Sequence, residues 1–366
     1  MKKILFTANS LNIGGLEKAL VLLLNNLKDE YDITLVLENY NGYYKELLDS
    51  KIRVQEYIVS RCKIPLVRKI INLCKRIKWS LKNYHKYDFS CSYATYSLIG
   101  SRLALIASTN SSLYVHSNYA AYFNHDELDI KNFFEDLHYK KFKNLIFVSN
   151  ESRDSLQKVL DFNAKNMHVI NNLTDSLSII KSSLEECDLG MFKKENINLL
   201  FVGRIDNTSK NFDLLLKALK HVKVPNIKLF IIGDGDYKKN IIKLVADLKL
   251  NDRVTLLGEK TNPYPYMKKS DALILTSKYE GFPLIYNEAL VLNKKMITTV
   301  PVSDNYIDIK KYFTCVKQDC IDIAKKIEEV TKTDVFYNVD FMELNKKNLD
   351  KLKNIIERNG ESNENK

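Results

Sequence analysis

Short apolar runs, each followed by a stretch with helical spacing, recur along almost the whole chain, and that alternation permits few architectures. Residues 4–8, 33–37, 54–59, 90–93, 112–115, 145–148 and 167–170 read as strands in the first half. Residues 199–202, 229–232, 254–257, 272–275 and 295–299 form a second series. Helical spacing lies between them, as in residues 16–27 and in the run from Phe212. Ser149 is placed to cap a helix starting near Glu151. Strand and helix in alternation imply mostly parallel sheets covered by helices. Residues 171–196 lose the period and are polar, so they read as a linker. The expected fold is α/β, with two Rossmann-like, doubly wound domains facing a central cleft. The divisions expected are residues 1–180, residues 181–344, and a C-terminal helix and tail, 345–366. Leu349, Leu352, Ile355 and Ile356 keep helical spacing in that tail, whereas residues 359–366 are expected to be disordered.

A chain of 366 residues suffices for two domains of ordinary size. No window approaches the roughly 18 apolar residues of a transmembrane helix. The apolar start at Ile4–Phe6 gives way to Asn9, Ser10 and Asn12, which favours a first strand over a signal peptide. The six cysteines contain no Cys-x-x-Cys pair, so neither a disulfide framework nor a zinc site is expected, and a reducing cytosol fits.

The net charge of +11 has a location. Arg61, Lys63, Arg68, Lys69, Lys75, Arg76, Lys78, Lys82 and Lys86 fall in one stretch without an acidic residue. On a helix, Leu66, Ile70, Leu73, Cys74, Ile77 and Leu81 share one face, with the basic residues and Trp79 around the rest. Arg68, Lys69, Lys75, Arg76, Lys78, Trp79 and Lys82 would suit an anionic bilayer surface. A helix packed on the core with a solvated basic face explains the pattern equally well. Both hold if the apolar face turns inward and the basic rim meets phospholipid. Nucleic acid is not expected, because only Trp79 and Tyr84 could stack on bases there.

The chemistry concentrates in Tyr279-Glu280-Gly281-Phe282-Pro283-Leu284-Ile285-Tyr286-Asn287-Glu288. The first carboxylate lies where a buried strand ends and the second lies one to two turns into the next helix. Gly281 permits a sharp turn and Pro283 is tolerated at a helix start. Free amides there suit a phosphate or a sugar hydroxyl, in the crevice where open α/β sheets bind ligands. Arg204 and Lys210 add a planar fork and a point charge after an earlier strand. Asp234-Gly235-Asp236 invites a metal-site reading, but a tight turn with Asp236 capping the next helix is simpler, and no metal is expected.

Taken together these segments resemble the retaining, nucleotide-sugar-dependent glycosyltransferases of the GT-B fold, family 4. The Glu280–Glu288 stretch matches their Glu-x7-Glu signature. Phe201-Val202-Gly203-Arg204 with Lys210-Asn211 resembles their phosphate clamp, and Ile232-Gly233-Asp234-Gly235 their Gly-x-Gly turn. Asn262-Pro263-Tyr264-Pro265-Tyr266-Met267 resembles a segment of polysaccharide-assembly members, and Gly14-Gly15-Leu16-Glu17 the family's Gly-Gly-x-Glu loop. The match is dense from residue 199 to 299. Two departures stand out: Thr299–Asp304 lacks the usual glycine, and Pro283 replaces a common Gly.

The resemblance implies roles. Glu280, Arg204, Lys210 and His116 would form the catalytic set, with Glu280 and His116 beside the transferred sugar; a cleft-wall role for His116 stays open. Gly14, Gly15, Gly203, Gly281, Phe282, Pro283, Leu284, Ile285 and Glu288 would hold the donor, Glu288 by accepting from the ribose hydroxyls. It also implies a UDP-sugar donor, no cofactor, and a lipid-linked or growing glycan acceptor of capsule or exopolysaccharide assembly. Acceptor binding would fall to the first domain and nucleotide-sugar binding to the second, with the C-terminal helix crossing back to the first, at the inner face of the cell membrane. A GT-B epimerase and a non-catalytic partner subunit are the other readings; intact Glu280, Glu288, Arg204 and Lys210 weigh against both.

Overall fold

The computed structural model describes residues 1–358, so the disorder expected of residues 359–366 lies outside the described residues. Two compact units form, Met1–Leu173 with the segment from Asn345, and Thr174–Leu344. The first is built on β1 (Lys2–Ala8), β2 (Tyr31–Leu37), β3 (Arg53–Glu56), β4 (Phe89–Ser92), β5 (Ser111–Val115), β6 (Asn144–Phe147) and β7 (Met167–Val169). Their order is β3-β2-β1-β4-β5-β6-β7, and every pair is parallel. The second has β8 (Ile197–Val202), β9 (Ile227–Ile232), β10 (Val254–Gly258), β11 (Ala272–Leu275), β12 (Lys295–Thr298) and β13 (Thr314–Cys315). Its order is β10-β9-β8-β11-β12-β13, again all parallel.

Central strands of such sheets are covered on both faces and read as continuous apolar runs. That is why Ile4-Leu5-Phe6 and Leu199-Leu200-Phe201 are wholly buried and were legible as strands. In each sheet the winding reverses beside the first strand of the unit, between β1 and β4 and between β8 and β11. The carboxyl ends of these two strand pairs are the places where doubly wound sheets take ligands.

Three expectations change. Residues 171–196 are not an unstructured linker, since Ser176–Ser182 is a helix whose Asp175 cap accepts from the Ser178 amide at 3.0 Å. Its one buried apolar side chain, Ile179, is too little to set a visible period. The helix belongs to the second unit, where Asn262 Nδ2 donates to the Ser182 carbonyl at 2.8 Å. The division therefore falls after Leu173 rather than at 180/181.

Asp236 is not a helix cap. The helix Lys238–Asp247 starts from Tyr237 without a side-chain cap. Asp234 instead accepts from the Gly235 amide at 2.7 Å and pairs with Lys238 at 3.1 Å. These two contacts, the amide first, hold its carboxyl below the usual carboxylate range.

Of the two orientations left open for the basic helix, Pro65–Asn83, its apolar stripe takes the outward one. Leu66, Ile70, Leu73, Ile77 and Leu81 are 44–82% exposed, and Cys74 is exposed with them. Trp79 turns inward, edge-on to Tyr57 at 6.3 Å and against the cluster of Leu5, Val36, Tyr87, Leu103 and Ala107. Asn72 accepts from the Ser60 amide at 2.6 Å, Lys75 donates to the Ile58 carbonyl at 2.9 Å, and Asn83 is buried. One indole and a set of groups that satisfy the backbone of residues 58–60 thus fix the inner face. The aliphatic stripe is left outside.

The helix Phe341–Glu357 closes the first unit from Asn345 onward. Leu352, Ile355 and Ile356 are buried, Lys2 pairs with Glu357 at 2.7 Å, and Lys353 pairs with Glu30 at 2.6 Å. The last carbonyls of a helix have no partner within it. Asn110 supplies one, donating from Nδ2 to the Ile355 and Ile356 carbonyls at 3.0 and 3.3 Å. Asn110→Ala is expected to lower the stability of the first unit by about 1–3 kcal/mol, the cost of stranding buried acceptors. Urea unfolding checks this, and a midpoint equal to wild type contradicts the capping role.

Candidate active site

The site is built where β8 and β11 lie side by side. Past β8 the chain turns sharply through Gly203-Arg204-Ile205, and the turn after β9 packs directly on it. A Cβ on Gly233 (φ +143°) would lie 1.9 Å from the Gly203 carbonyl oxygen, and one on Gly235 2.3 Å from that of Ile205. Ile205 N donates to the Asp234 carbonyl at 2.8 Å and Tyr237 N to the Ile205 carbonyl at 3.2 Å. The Gly-x-Gly turn therefore clamps the Arg204 backbone, a role that sequence reading did not assign to it.

Arg204 is 77% exposed at the side chain, with Nε 3.2 Å from Asp206. Asp206 accepts from the Ser209 amide at 2.7 Å and from its hydroxyl at 2.8 Å. Burial raises the Asp206 carboxyl, but the Ser209 bonds and the Arg204 charge outweigh it and leave the carboxyl below its ordinary value. The loop so formed delivers Lys210. Asn211 follows in the left-handed region, φ +55°, and starts the helix Phe212–His221.

The end of β11 is stitched to this loop. Lys278 N donates to the Ser209 carbonyl at 2.7 Å, and Thr276 Oγ1 to the Lys210 carbonyl at 3.1 Å. The stitching brings Lys210 Nζ to 2.5 Å from Glu280 Oε1, with side chains only 17% and 12% exposed. Ser277 Oγ donates to the same oxygen at 2.5 Å. An ion pair this far from water holds only when both partners stay, because removing one leaves a poorly solvated charge. Lys210 and Arg204 thus each carry a counter-charge of their own rather than standing as two free cations.

Glu280 leads into the buried Gly281 and Phe282 and then Pro283, which stands at the cap position of the helix Leu284–Val291. The first-turn amides of Leu284 and Ile285 follow it, and such amides favour an anion. Glu288, one turn on, is buried, and its Oε1 accepts from the Tyr264 hydroxyl at 2.9 Å. Asp206, Ser209, Ser277 and Tyr264 are the partners that spacing did not point out. Only Tyr264 carried a signal, lying within the Asn262–Met267 segment.

In the first unit Gly14, in extended conformation, precedes the helix Gly15–Leu27. Its missing Cβ leaves room for Glu17, whose carboxylate oxygen would lie 2.3 Å from it. His116 follows β5, stacked on Tyr114 at 4.5 Å and tilted to Tyr93 at 4.3 Å. Burial pushes its pKa down to about 3, against a smaller opposing effect of a hydrogen bond to the Tyr93 main chain. Its Nε2 is out of solvent and meets no protein partner, so near neutral pH the ring is uncharged. Among the described residues, no group of three His, Cys, Asp or Glu side chains is placed to hold a metal ion.

Comparison with known proteins agrees with this layout. Residues 13–176 match the family model described as Glycosyltransferase Family 4, and residues 189–348 the one described as Glycosyl transferases group 1. A Campylobacter jejuni protein is 26% identical over 311 residues, covering 82% of this chain and 81% of its own. It is named N-acetylgalactosamine-N,N'-diacetylbacillosaminyl-diphospho-undecaprenol 4-alpha-N-acetylgalactosaminyltransferase. A second C. jejuni protein, a GalNAc-alpha-(1->4)-GalNAc-alpha-(1->3)-diNAcBac-PP-undecaprenol alpha-1,4-N-acetyl-D-galactosaminyltransferase, is 27% identical, covering 92% of this chain and 90% of its own. In fold, the chain superposes on Anabaena HepE in complex with UDP and glucose with a TM-score of 0.73 at 18% identity, covering 96% and 100% of the two chains. With both units matched, in order, by models of one enzyme class, the chain belongs to the GT-B glycosyltransferases of group 1.

Proposed function

We propose that the protein moves a sugar from a UDP-sugar to a growing glycan carried on a polyprenyl diphosphate, in bacterial capsule or exopolysaccharide assembly, with anomeric configuration retained. The Lys210–Glu280 pair at the β8–β11 switch carries this reading. A nucleoside diphosphate arriving there meets Lys210, the Arg204 fork and the amides of Leu284 and Ile285. All three stabilise charge that grows on the leaving diphosphate as the glycosidic bond breaks. Glu280, held by Lys210 and Ser277, presents its second oxygen toward the donor sugar. Glu288 takes the ribose hydroxyls. No metal enters this reading, since protein cations and amides meet the diphosphate. The names of the C. jejuni relatives, both of which act on undecaprenyl-diphosphate-linked glycans, support the lipid-linked acceptor.

Such an acceptor sits at a membrane, and the Pro65–Asn83 helix suits that place. No helix among the described residues is long and apolar enough to cross a bilayer. Yet this one turns an aliphatic stripe outward with Arg68, Lys69, Lys75, Arg76, Lys78 and Lys82 around it and no acidic residue. In our reading the stripe enters the acyl boundary of the inner leaflet while the basic residues meet anionic headgroups. Trp79 has no part in it, being committed to the protein interior.

Arg204→Ala is expected to cut turnover at least tenfold with an unchanged melting temperature, because the side chain is exposed and contacts of this kind are worth about 2–4 kcal/mol in the transition state. Lys210→Met should cut turnover as much and also lower stability, by about 3–5 kcal/mol, since Glu280 is left unpaired. Near-normal turnover in both variants contradicts the assignment.

For the membrane, the wild-type protein is expected to co-sediment with phosphatidylglycerol-rich vesicles and less so as salt rises. Replacing Arg68, Lys69, Lys78 and Lys82 by Gln should abolish this, each charge contributing about 1 kcal/mol. Replacing Leu66, Ile70, Leu73 and Ile77 by Ser should abolish it too, with the fold intact. Failure of the wild-type protein to sediment at low salt contradicts the proposal.

A further inference from the structure

One buried contact beside the site has no part in the chemistry above. Tyr264 opens the helix Tyr264–Lys269 and spans to Glu288, its hydroxyl 2.9 Å from Oε1, with both side chains buried. The ring is itself held from behind. Asn262 Oδ1 accepts from the Tyr264 amide at 3.1 Å, while Asn262 Nδ2 donates to the Ser182 carbonyl and to Glu185 Oε2, each at 2.8 Å. Pro263 lies between, with a backbone angle its ring restricts.

A glutamate has three side-chain torsions, and a flexible carboxylate loses their freedom when it binds a ligand. A buried carboxylate also costs free energy unless it accepts hydrogen bonds. Tyr264 meets both demands, since its donor is placed before any ligand arrives. A carboxylate oxygen can accept more than one hydrogen bond, so the phenol leaves capacity for sugar hydroxyls.

We propose that Tyr264 is the positioning residue for Glu288, fixing the carboxylate in the orientation that reads the ribose hydroxyls of the donor nucleotide. This rests on the reading of Glu288 as the ribose contact. Tyrosine is required here rather than phenylalanine, because the ring alone fills the space but gives Oε1 no donor. Tyr264 therefore acts on recognition of the ribose and not on the diphosphate.

The test is calorimetric titration of wild type, Tyr264→Phe and Glu288→Gln with UDP, 2′-deoxy-UDP and 3′-deoxy-UDP, with melting temperature as a control. Wild type should bind UDP more tightly than the deoxy compounds. Tyr264→Phe is expected to weaken UDP by about tenfold, the loss of one hydrogen bond to a charged group, while leaving at least one deoxy compound near its wild-type affinity. Its melting temperature should stay within a few degrees of wild type. If Tyr264→Phe keeps the wild-type preference for UDP, or weakens all three ligands equally, the positioning role is overturned. Glu288→Gln separates the two levels. If it abolishes the preference while Tyr264→Phe does not, only the Tyr264 inference falls. If Glu288→Gln keeps the preference, the ribose assignment falls, and the inference with it.

Discussion

The site depends on one ion pair. Lys210 and Glu280 come from loops 70 residues apart in sequence, yet they meet at 2.5 Å with little water around them. Each charge alone would be costly there, so the pairing favours closing the loops after β8 and β11 together. The neighbouring contacts follow from this. Ser277 completes the shell of Glu280, Thr276 and Lys278 tie the two backbones, and Asp206 with Ser209 shapes the loop that brings Lys210 in. Each of these is a hydrogen bond between neighbours in a partly buried crevice, and losing one leaves a polar group poorly satisfied.

Behind the pair stands the sheet. Six parallel strands with the order reversing between β8 and β11 leave a gap at the carboxyl edge, because the loops from these strands leave toward opposite faces. The gap is where Arg204, Lys210, Glu280 and the start of Leu284–Val291 converge. Gly233 and Gly235 contribute by letting the β9 loop lie against the Arg204 backbone, which no residue with a Cβ could allow. Fold and site are therefore one construction: the winding makes the gap, the glycines set one wall, and the ion pair locks it.

How much of this was legible beforehand follows from the type of interaction. The strands could be read because buried parallel strands are apolar on both faces, as Ile4-Leu5-Phe6 and Leu199-Leu200-Phe201 are. Glu280, Glu288, Arg204 and Lys210 could be singled out as candidates because their order and spacing follow a family pattern. The pairing of Lys210 with Glu280 could not, since spacing along the chain says nothing of which charges meet across strands. The Pro65–Asn83 helix shows a different limit. Periodicity reveals that a helix has an apolar stripe, not that the stripe faces inward. Here Trp79 and Asn72, with Lys75, outcompete the stripe by filling a hollow and satisfying the backbone at residues 58–60. The Ser176–Ser182 helix was hidden because a helix with one buried apolar residue has no period to show.

The central claim is that the Lys210–Glu280 crevice receives the diphosphate of the donor. Calorimetric titration of wild type and Lys210→Met with UDP and with uridine tests it most directly. The account predicts that wild type binds UDP at least about a hundredfold more tightly than uridine, as two charge-assisted contacts would give, and that Lys210→Met loses most of that margin while its affinity for uridine stays the same. Equal affinity of wild type for UDP and uridine, or a margin that survives Lys210→Met intact, would contradict it.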